Sequence, residues 1–197
     1  PYLAEGVRVL GDVLRRAEAV GSIHCHPSLA IIETIQDKAQ QKRWLAEAGL
    51  PTLPFILASG EDGEAAAAAA ELGYPLVQKA LRGGFDGRGV QLLRDEAALA
   101  AAWPGATLYE AYAGDFREIA VIVVRAQDGE IRCFPPVAMT FDGDYSVLEW
   151  VYAPSDADEA VVAEAERVAR SAIKALNGVG TFGVELFHCA DDRVVIN

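Results

Sequence analysis

Positive charge is scarce in this chain: 17 lysines and arginines stand against 29 aspartates and glutamates in 197 residues, a formal net charge of −12. That balance argues against nonspecific binding to nucleic acid or to an anionic membrane, both of which draw on basic surface. Cysteine is also rare. Cys25, Cys133 and Cys189 are far apart, odd in number and without CxxC spacing, so neither a disulfide framework nor a structural zinc site is supported. Free thiols in a reducing cytoplasm are the expected state. No apolar run approaches the ~20 residues that span a bilayer, and no basic-then-apolar leader opens the sequence, so a cytoplasmic location is expected. His24, His26 and His188 lack nucleophile or metal-ligand spacing. GxSxG, GxxxxGK[ST] and a helix-opening GxGxxG are absent, which removes nucleophilic catalysis and P-loop binding as default readings. The chain opens on Pro1 rather than methionine and stops at RVVIN, within what reads as a strand, so it is taken as a segment of something longer.

What is present is 52% apolar and arranged in recognisable periods. Val7, Leu10, Val13 and Leu14 form one helical stripe ahead of Gly21. Asp37, with Gln40 three residues on, has the form of a capping box, and Gly49 and Pro51 end the helix that follows. TLPFILAS reads as a short strand, and Ala65 to Ala70 as a helix closed by Gly73 and Pro75. Next come PLVQKA and GVQLLRD as strands, a short helix near Glu96 to Trp103, and the strand TLYEAYA. Two β-rich runs then meet at Asp128-Gly129, a hairpin signal, with a bulge or edge expected at Pro135-Pro136. A helix over 156–176, stopped by Asn177-Gly178, precedes a final strand–turn–strand. The order predicts a mixed α+β fold with antiparallel sheet, without a repeat of fixed period.

Two constellations carry chemistry. The first is QKALRGGFDGRGV, residues 78–90, where Gly83, Gly84, Gly87 and Gly89 fall within seven positions between two strands. A hairpin turn needs far fewer glycines. Glycine lets backbone N–H groups approach an anion closely, and Lys79, Arg82 and Arg88 add positive charge, so the stretch reads as a lid for phosphate oxygens. The plainer reading is a hairpin tip with solvated charges. The second constellation is acidic: Glu110, Glu118 and Glu185 sit within apolar strands, where a carboxylate wants a cation or a donor. Alternation places Phe182, Val184 and Leu186 on one face and Glu185 on the other with Thr181, Gly183 and Phe187. Mg²⁺ takes one or two carboxylates together with phosphate oxygens, which this spacing could supply; a surface-facing strand position is the alternative for each glutamate.

The series IQDKAQQKRWLAEAGLPTLPF, LVQKALRGGFDGRGV, LYEAYAGDFREIAVIV, YAP and GVGTFGVELF…VVIN resembles the ATP-grasp domain of the N5-carboxyaminoimidazole ribonucleotide synthetase family over nearly the whole chain. The resemblance implies an α+β ATP-grasp fold, two subdomains clasping ATP between antiparallel sheets. Residues 1–36 would be the end of an N-terminal domain and a linker, 37–106 the small subdomain, and 107–197 an incomplete large one. It further implies an ATP-dependent ligase that activates bicarbonate as carboxyphosphate and carboxylates 5-aminoimidazole ribonucleotide in purine biosynthesis, with Mg²⁺ as cofactor, Mn²⁺ as a possible substitute, and a homodimeric assembly.

By position, Lys38 and Lys79 would contact nucleotide phosphate. Gly83, Gly84, Phe85, Asp86, Gly87, Arg88 and Gly89 would form the lid, Asp86 and Arg88 meeting substrate or carboxyphosphate. Glu110, Ala111, Tyr112 and Ala113 would read adenine through their backbone, Glu118 would hold the ribose, Asn197 would sit at the nucleotide and Glu185 would ligate the metal. Phe141 stands where many members have histidine, so one nucleotide contact would be lost or replaced. The second metal glutamate and a substrate-binding loop would lie beyond Asn197, so the segment alone is expected to lack full activity. Other ATP-grasp ligases, such as a formate-dependent glycinamide ribonucleotide transformylase or a biotin-carboxylase-like enzyme, are alternatives against which the GGFDGRG form of the loop argues. A noncatalytic nucleotide-binding module is another.

Overall fold

The computed structural model describes residues 11–21, 24–84, 89–141 and 148–197. Helices α1 (Gly11–Ala19), α2 (Leu29–Gln36) and α3 (Lys38–Glu47) lead into β1 (Phe55–Ala58), α4 (Glu64–Leu72), β2 (Leu76–Ala80), β3 (Val90–Leu93), a 3₁₀ turn (Glu96–Ala101) and β4 (Thr107–Ala111). The chain continues through β5 (Phe116–Arg125), β6 (Ile131–Cys133), β7 (Val137–Phe141), β8 (Leu148–Tyr152), α5 (Glu159–Leu176), β9 (Gly180–Cys189) and β10 (Val194–Ile196). The strands make two antiparallel sheets. One runs β1-β4-β2-β3; the other runs β10-β9-β5-β7-β8, with β6 also on β5.

The larger sheet is organised by α5. Its apolar stripe of Val161, Ala165, Val168, Ala169, Ala172 and Ile173 is buried against Ile119, Val121 and Val123 of β5 and Phe182, Val184 and Leu186 of β9. Because strand side chains alternate, the same register turns Glu118 and Ala120 of β5, paired with Phe187 and Glu185 of β9, to the opposite face. Asn177 ends α5 in the left-handed region at φ 51°, a conformation asparagine tolerates better than most residues. The smaller sheet packs Leu76, Leu93 and Tyr109 on Ala68 and Ala69 of α4, so the alanine run is the small-residue face on which that sheet rests.

Several expectations are corrected. Val13 of the first helical stripe is exposed, and Val7 and Leu10 lie outside the described residues. Helix α2 went unforeseen because LAIIETIQ is dense in β-branched residues, which disfavour helix intrinsically; burial of Leu29 and Ile32 overrides that preference. The proline pair splits the expected second arm into β6 and β7, both paired to β5, since proline cannot donate to the ladder. Strand β8, also unforeseen, forms the far edge. In the small sheet β4 lies between β1 and β2, while Leu45 and Trp44 of α3 pack into the α5 core. The small sheet is therefore built from residues 55–111.

Candidate functional site

Strand β2 has two faces with different work. Gln78 points into the α4 side, where it is fully buried and hydrogen-bonded: its Nε2 donates to Trp103 O at 3.1 Å, and its Oε1 accepts from Gln91 Nε2 at 2.6 Å. Lys79 points the other way. The register Lys79↔Leu108 and Val77↔Glu110 puts Lys79 and Glu110 on one face of the small sheet, away from α4. Helix α3 buries Ala39, Lys42 and Leu45 on one stripe, so its inward face delivers an ammonium group as well as apolar carbon.

These three charges meet. Glu110, 1% exposed, pairs through Oε2 with Lys79 Nζ at 2.5 Å and through Oε1 with Lys42 Nζ. Lys42 Nζ donates to Thr52 Oγ1 at 2.6 Å, and that hydroxyl donates to Ile196 O at 3.2 Å. Lys79 Nζ donates to Asn197 Oδ1 at 3.0 Å and lies 5.9 Å from the centre of the Phe187 ring. Burial alone would raise the Glu110 pKa; the Lys79 and Lys42 ammonium groups outweigh it and hold the carboxyl below its usual range. Burial pushes Lys42 down to about 8 despite Glu110, with Lys79 and Lys38 adding like-charge repulsion.

The facing wall is acidic. Glu118 is raised to about 7, chiefly by burial, further by the neighbouring Glu185 carboxylate, and against the pull of Lys79. Glu185 is exposed, and its carbonyl accepts from Asn197 N at 3.1 Å, which ties the chain's last residue to β9. The structure thus brings Lys79, Glu110, Asn197, Glu118 and Glu185 together. Glu110 enters through its side chain, whose need for a cation was read from the sequence but whose partners Lys42 and Lys79 were not; Ala111 N donates to Pro54 O at 2.9 Å, and Tyr112 and Ala113 follow outside the strand.

The base of the glycine loop is tightly built. Ala80 N donates to Gly89 O at 2.8 Å, and Gly89 has φ +84° with Gly84 Cα only 2.9 Å from where a Cβ would stand, so glycine is required there. Gly83, Gly84, Leu81 and Arg82 line a small cleft with Lys38, and Lys38 N donates to Leu81 O at 2.9 Å. Arg82, expected among the lid's cations, instead pairs with Asp37 at 2.8 Å, because the carboxylate that caps α3 lies within its reach. Phe85, Asp86, Gly87 and Arg88 lie outside the described residues.

The ATP-grasp domain model matches residues 43–197. This chain belongs to the ATP-grasp family. Among curated proteins it is 35% identical over 182 residues to the N5-carboxyaminoimidazole ribonucleotide synthase of Synechococcus elongatus, covering 89% of this chain and 44% of that protein. It is 34% identical over 194 residues to the formate-dependent phosphoribosylglycinamide formyltransferase of Bacillus subtilis, covering 93% and 49%. Among solved structures, the N5-carboxyaminoimidazole synthase of Aspergillus clavatus, in complex with ADP and 5-aminoimidazole ribonucleotide, aligns with a TM-score of 0.82 at 30% identity over 96% of this chain and 50% of that one. The chain spans about half the length of these proteins or less.

Within the ATP-grasp fold the charges are unevenly divided: Lys79 and Glu110 stand on the small sheet with Lys42 of α3 against them, and the carboxylates Glu118 and Glu185 stand on the large one. Lys42 and Thr52 were missed by sequence reasoning, although a lysine on the stripe shared by Ala39 and Leu45 was a legible signal. Among the described residues, no group of three or more His, Cys, Asp or Glu could hold a metal by itself. Two neighbouring carboxylates, one with its proton affinity raised chiefly by burial and further by the other, fit instead a cation that takes its remaining ligands from phosphate and water. No helix among the described residues is long and apolar enough to cross a membrane.

Proposed function

We propose that the chain is the ATP-binding part of an N5-carboxyaminoimidazole ribonucleotide synthetase. One observation carries the nucleotide reading: Lys42 and Lys79 share the single carboxylate of Glu110, so that this buried trio carries one positive charge in an otherwise acidic protein. Such a charge, already desolvated, attracts a phosphate far more strongly than a lysine in water does. Resemblance to a synthase whose structure holds ADP and 5-aminoimidazole ribonucleotide supports the substrate assignment.

In this reading Lys79 binds phosphate oxygens, Lys38 meets them from the start of α3, and the glycine loop with Asp86 and Arg88 closes over them. Residues 110–113 face the base, Glu118 the ribose, and Asn197 orients Lys79. Glu185 holds Mg²⁺, which when bound would neutralise charge on the phosphates. A bicarbonate oxygen attacks the γ-phosphorus as the bond to the β-phosphate oxygen breaks, releasing ADP and giving carboxyphosphate. Loss of phosphate then delivers CO₂ to the substrate amine, which gives up a proton as the new carbon–nitrogen bond forms. Phosphoryl transfer asks mainly for positioning and charge neutralisation, which these residues supply. The protein is proposed to work in the cytoplasm as a homodimer.

Similarity to the Bacillus subtilis formyltransferase supports a second reading, in which formate is the acid activated and glycinamide ribonucleotide the acceptor. ADP release by the intact protein separates them. Release that requires bicarbonate and 5-aminoimidazole ribonucleotide together supports the first, release that requires formate and glycinamide ribonucleotide the second, and nucleotide binding without turnover a noncatalytic module.

A further inference from the structure

Lys42 is the most deeply buried cation among the described residues, 1% exposed, and the phosphate contacts proposed above make no use of it. Its ammonium group touches Glu110 and Thr52, and through the Thr52 hydroxyl it is tied to the carbonyl of Ile196, the residue before Asn197. Both partners of Lys79, the Glu110 carboxylate and the Asn197 amide, are therefore one step from Lys42. It also crosses between units, because α3 packs on the α5 core while Glu110 belongs to the small sheet.

We infer that Lys42 is a positioning residue for Lys79: by occupying one oxygen of Glu110, it lets that carboxylate orient the Lys79 ammonium group without neutralising the site. Within the buried trio of Lys42, Lys79 and Glu110, the charges account for this role. A lone Glu110–Lys79 pair would be neutral and closed, with little attraction for an anion. Adding Lys42 restores one positive charge, and because Lys42 is held by α3 and Thr52 while Lys79 stands on the sheet face beside Glu118, the excess is presented at Lys79. A buried pair stripped of one partner is costly, so Lys42 stabilises as well; its role in positioning is distinguishable because it depends on the charge of Glu110.

The inference rests on the reading of Lys79 as a phosphate-binding residue, and a double-mutant cycle in the intact protein tests the two separately. ADP affinity is measured by calorimetry, and folding by thermal unfolding, for the parent, Lys42→Met, Glu110→Gln and Lys42→Met/Glu110→Gln. Lys42→Met should weaken ADP about tenfold or more, about 1.4 kcal/mol. The double variant, in which no unmatched carboxylate remains beside Lys79, should bind ADP more tightly than Lys42→Met alone, and Lys42→Arg should retain most of the affinity. The double variant and the arginine variant carry the test if Lys42→Met does not fold. A double variant that binds no better than the single one, or additive losses across the cycle, would make Lys42 a structural residue and overturn the inference. Absence of ADP binding to the parent would overturn the phosphate reading itself.

Discussion

The two walls of the site handle charge in opposite ways. On the small-sheet side, Lys42, Lys79 and Glu110 are all less than 10% exposed and are paired with one another. On the large-sheet side, Glu118 and Glu185 are nearer to water, and the dominant electrostatic relation between them is repulsion. A buried cluster of paired charges is preassembled and loses little on meeting a ligand. A pair of like charges beside it is poised to gain when a cation arrives. In the proposed reading one wall receives anionic oxygens and the other the metal that accompanies them, and each of these roles can be attacked from its own side.

The largest effect is expected on the acidic wall. Glu185→Gln keeps the size of the side chain and removes the charge, so folding should survive while kcat of the intact enzyme falls about a hundredfold, the scale of losing one charge-stabilising group at a reacting centre. Excess Mg²⁺ or Mn²⁺ should restore part of it, with much less change in ATP affinity. Ordinary turnover at ordinary Mg²⁺ would mean the metal is held elsewhere. On the opposite wall, Lys79→Met should weaken ATP binding or slow turnover about tenfold or more, roughly 1.4 kcal/mol. Unchanged kinetics would remove Lys79 from the site.

How much of this contrast was legible in the sequence depends on the range of the interaction. Helix α5, the hairpin at Asp128-Gly129 and the cap at Asp37 are local patterns, and the structure contains all three. The face of Glu185 followed from alternation alone. What escaped was set by distant partners. Helix α2 exists despite its β-branched residues because the core accepts Leu29 and Ile32, and β4 joins the small sheet by pairing with β1, more than 45 residues earlier in the chain. The role of the Glu110 side chain needed the knowledge that α3 brings Lys42 beneath it, and nothing near Glu110 in the sequence states that.

The acidic wall can also be probed by pH in the metal-free protein. Glu118 titrates near 7 when folded, against about 4.3 for an unfolded glutamate. Between those values the native state keeps a proton that the unfolded state has released, so this group's contribution to stability falls as pH rises through that window and is most unfavourable above 7. Glu118→Gln removes it. The variant should be more stable than the parent at pH 8 and closer to it at pH 5, as read from Tm at each. An equal difference at both values would show that Glu118 is not held in the buried setting beside Glu185 described above.

The smallest effect belongs to Asp37, at the edge of the cationic wall. Its Oδ1 accepts from Gln40 N at 3.0 Å, capping α3, and its Oδ2 accepts from Arg82 Nε at 2.9 Å, tying the glycine loop to the same helix. Removing the cap should cost about 1 kcal/mol, a drop of about 2–4 °C in Tm for a chain of this size. The Arg82 side chain is 66% exposed, so its ion pair adds little stability. Asp37→Asn separates the two, since asparagine caps nearly as well but carries no charge. Asp37→Ala should therefore lower Tm by most of the full amount and Asp37→Asn by a small fraction of it. If the asparagine variant loses as much as the alanine one, the tie to Arg82 rather than the cap holds the start of α3, and with it Lys38 and Lys42, in place.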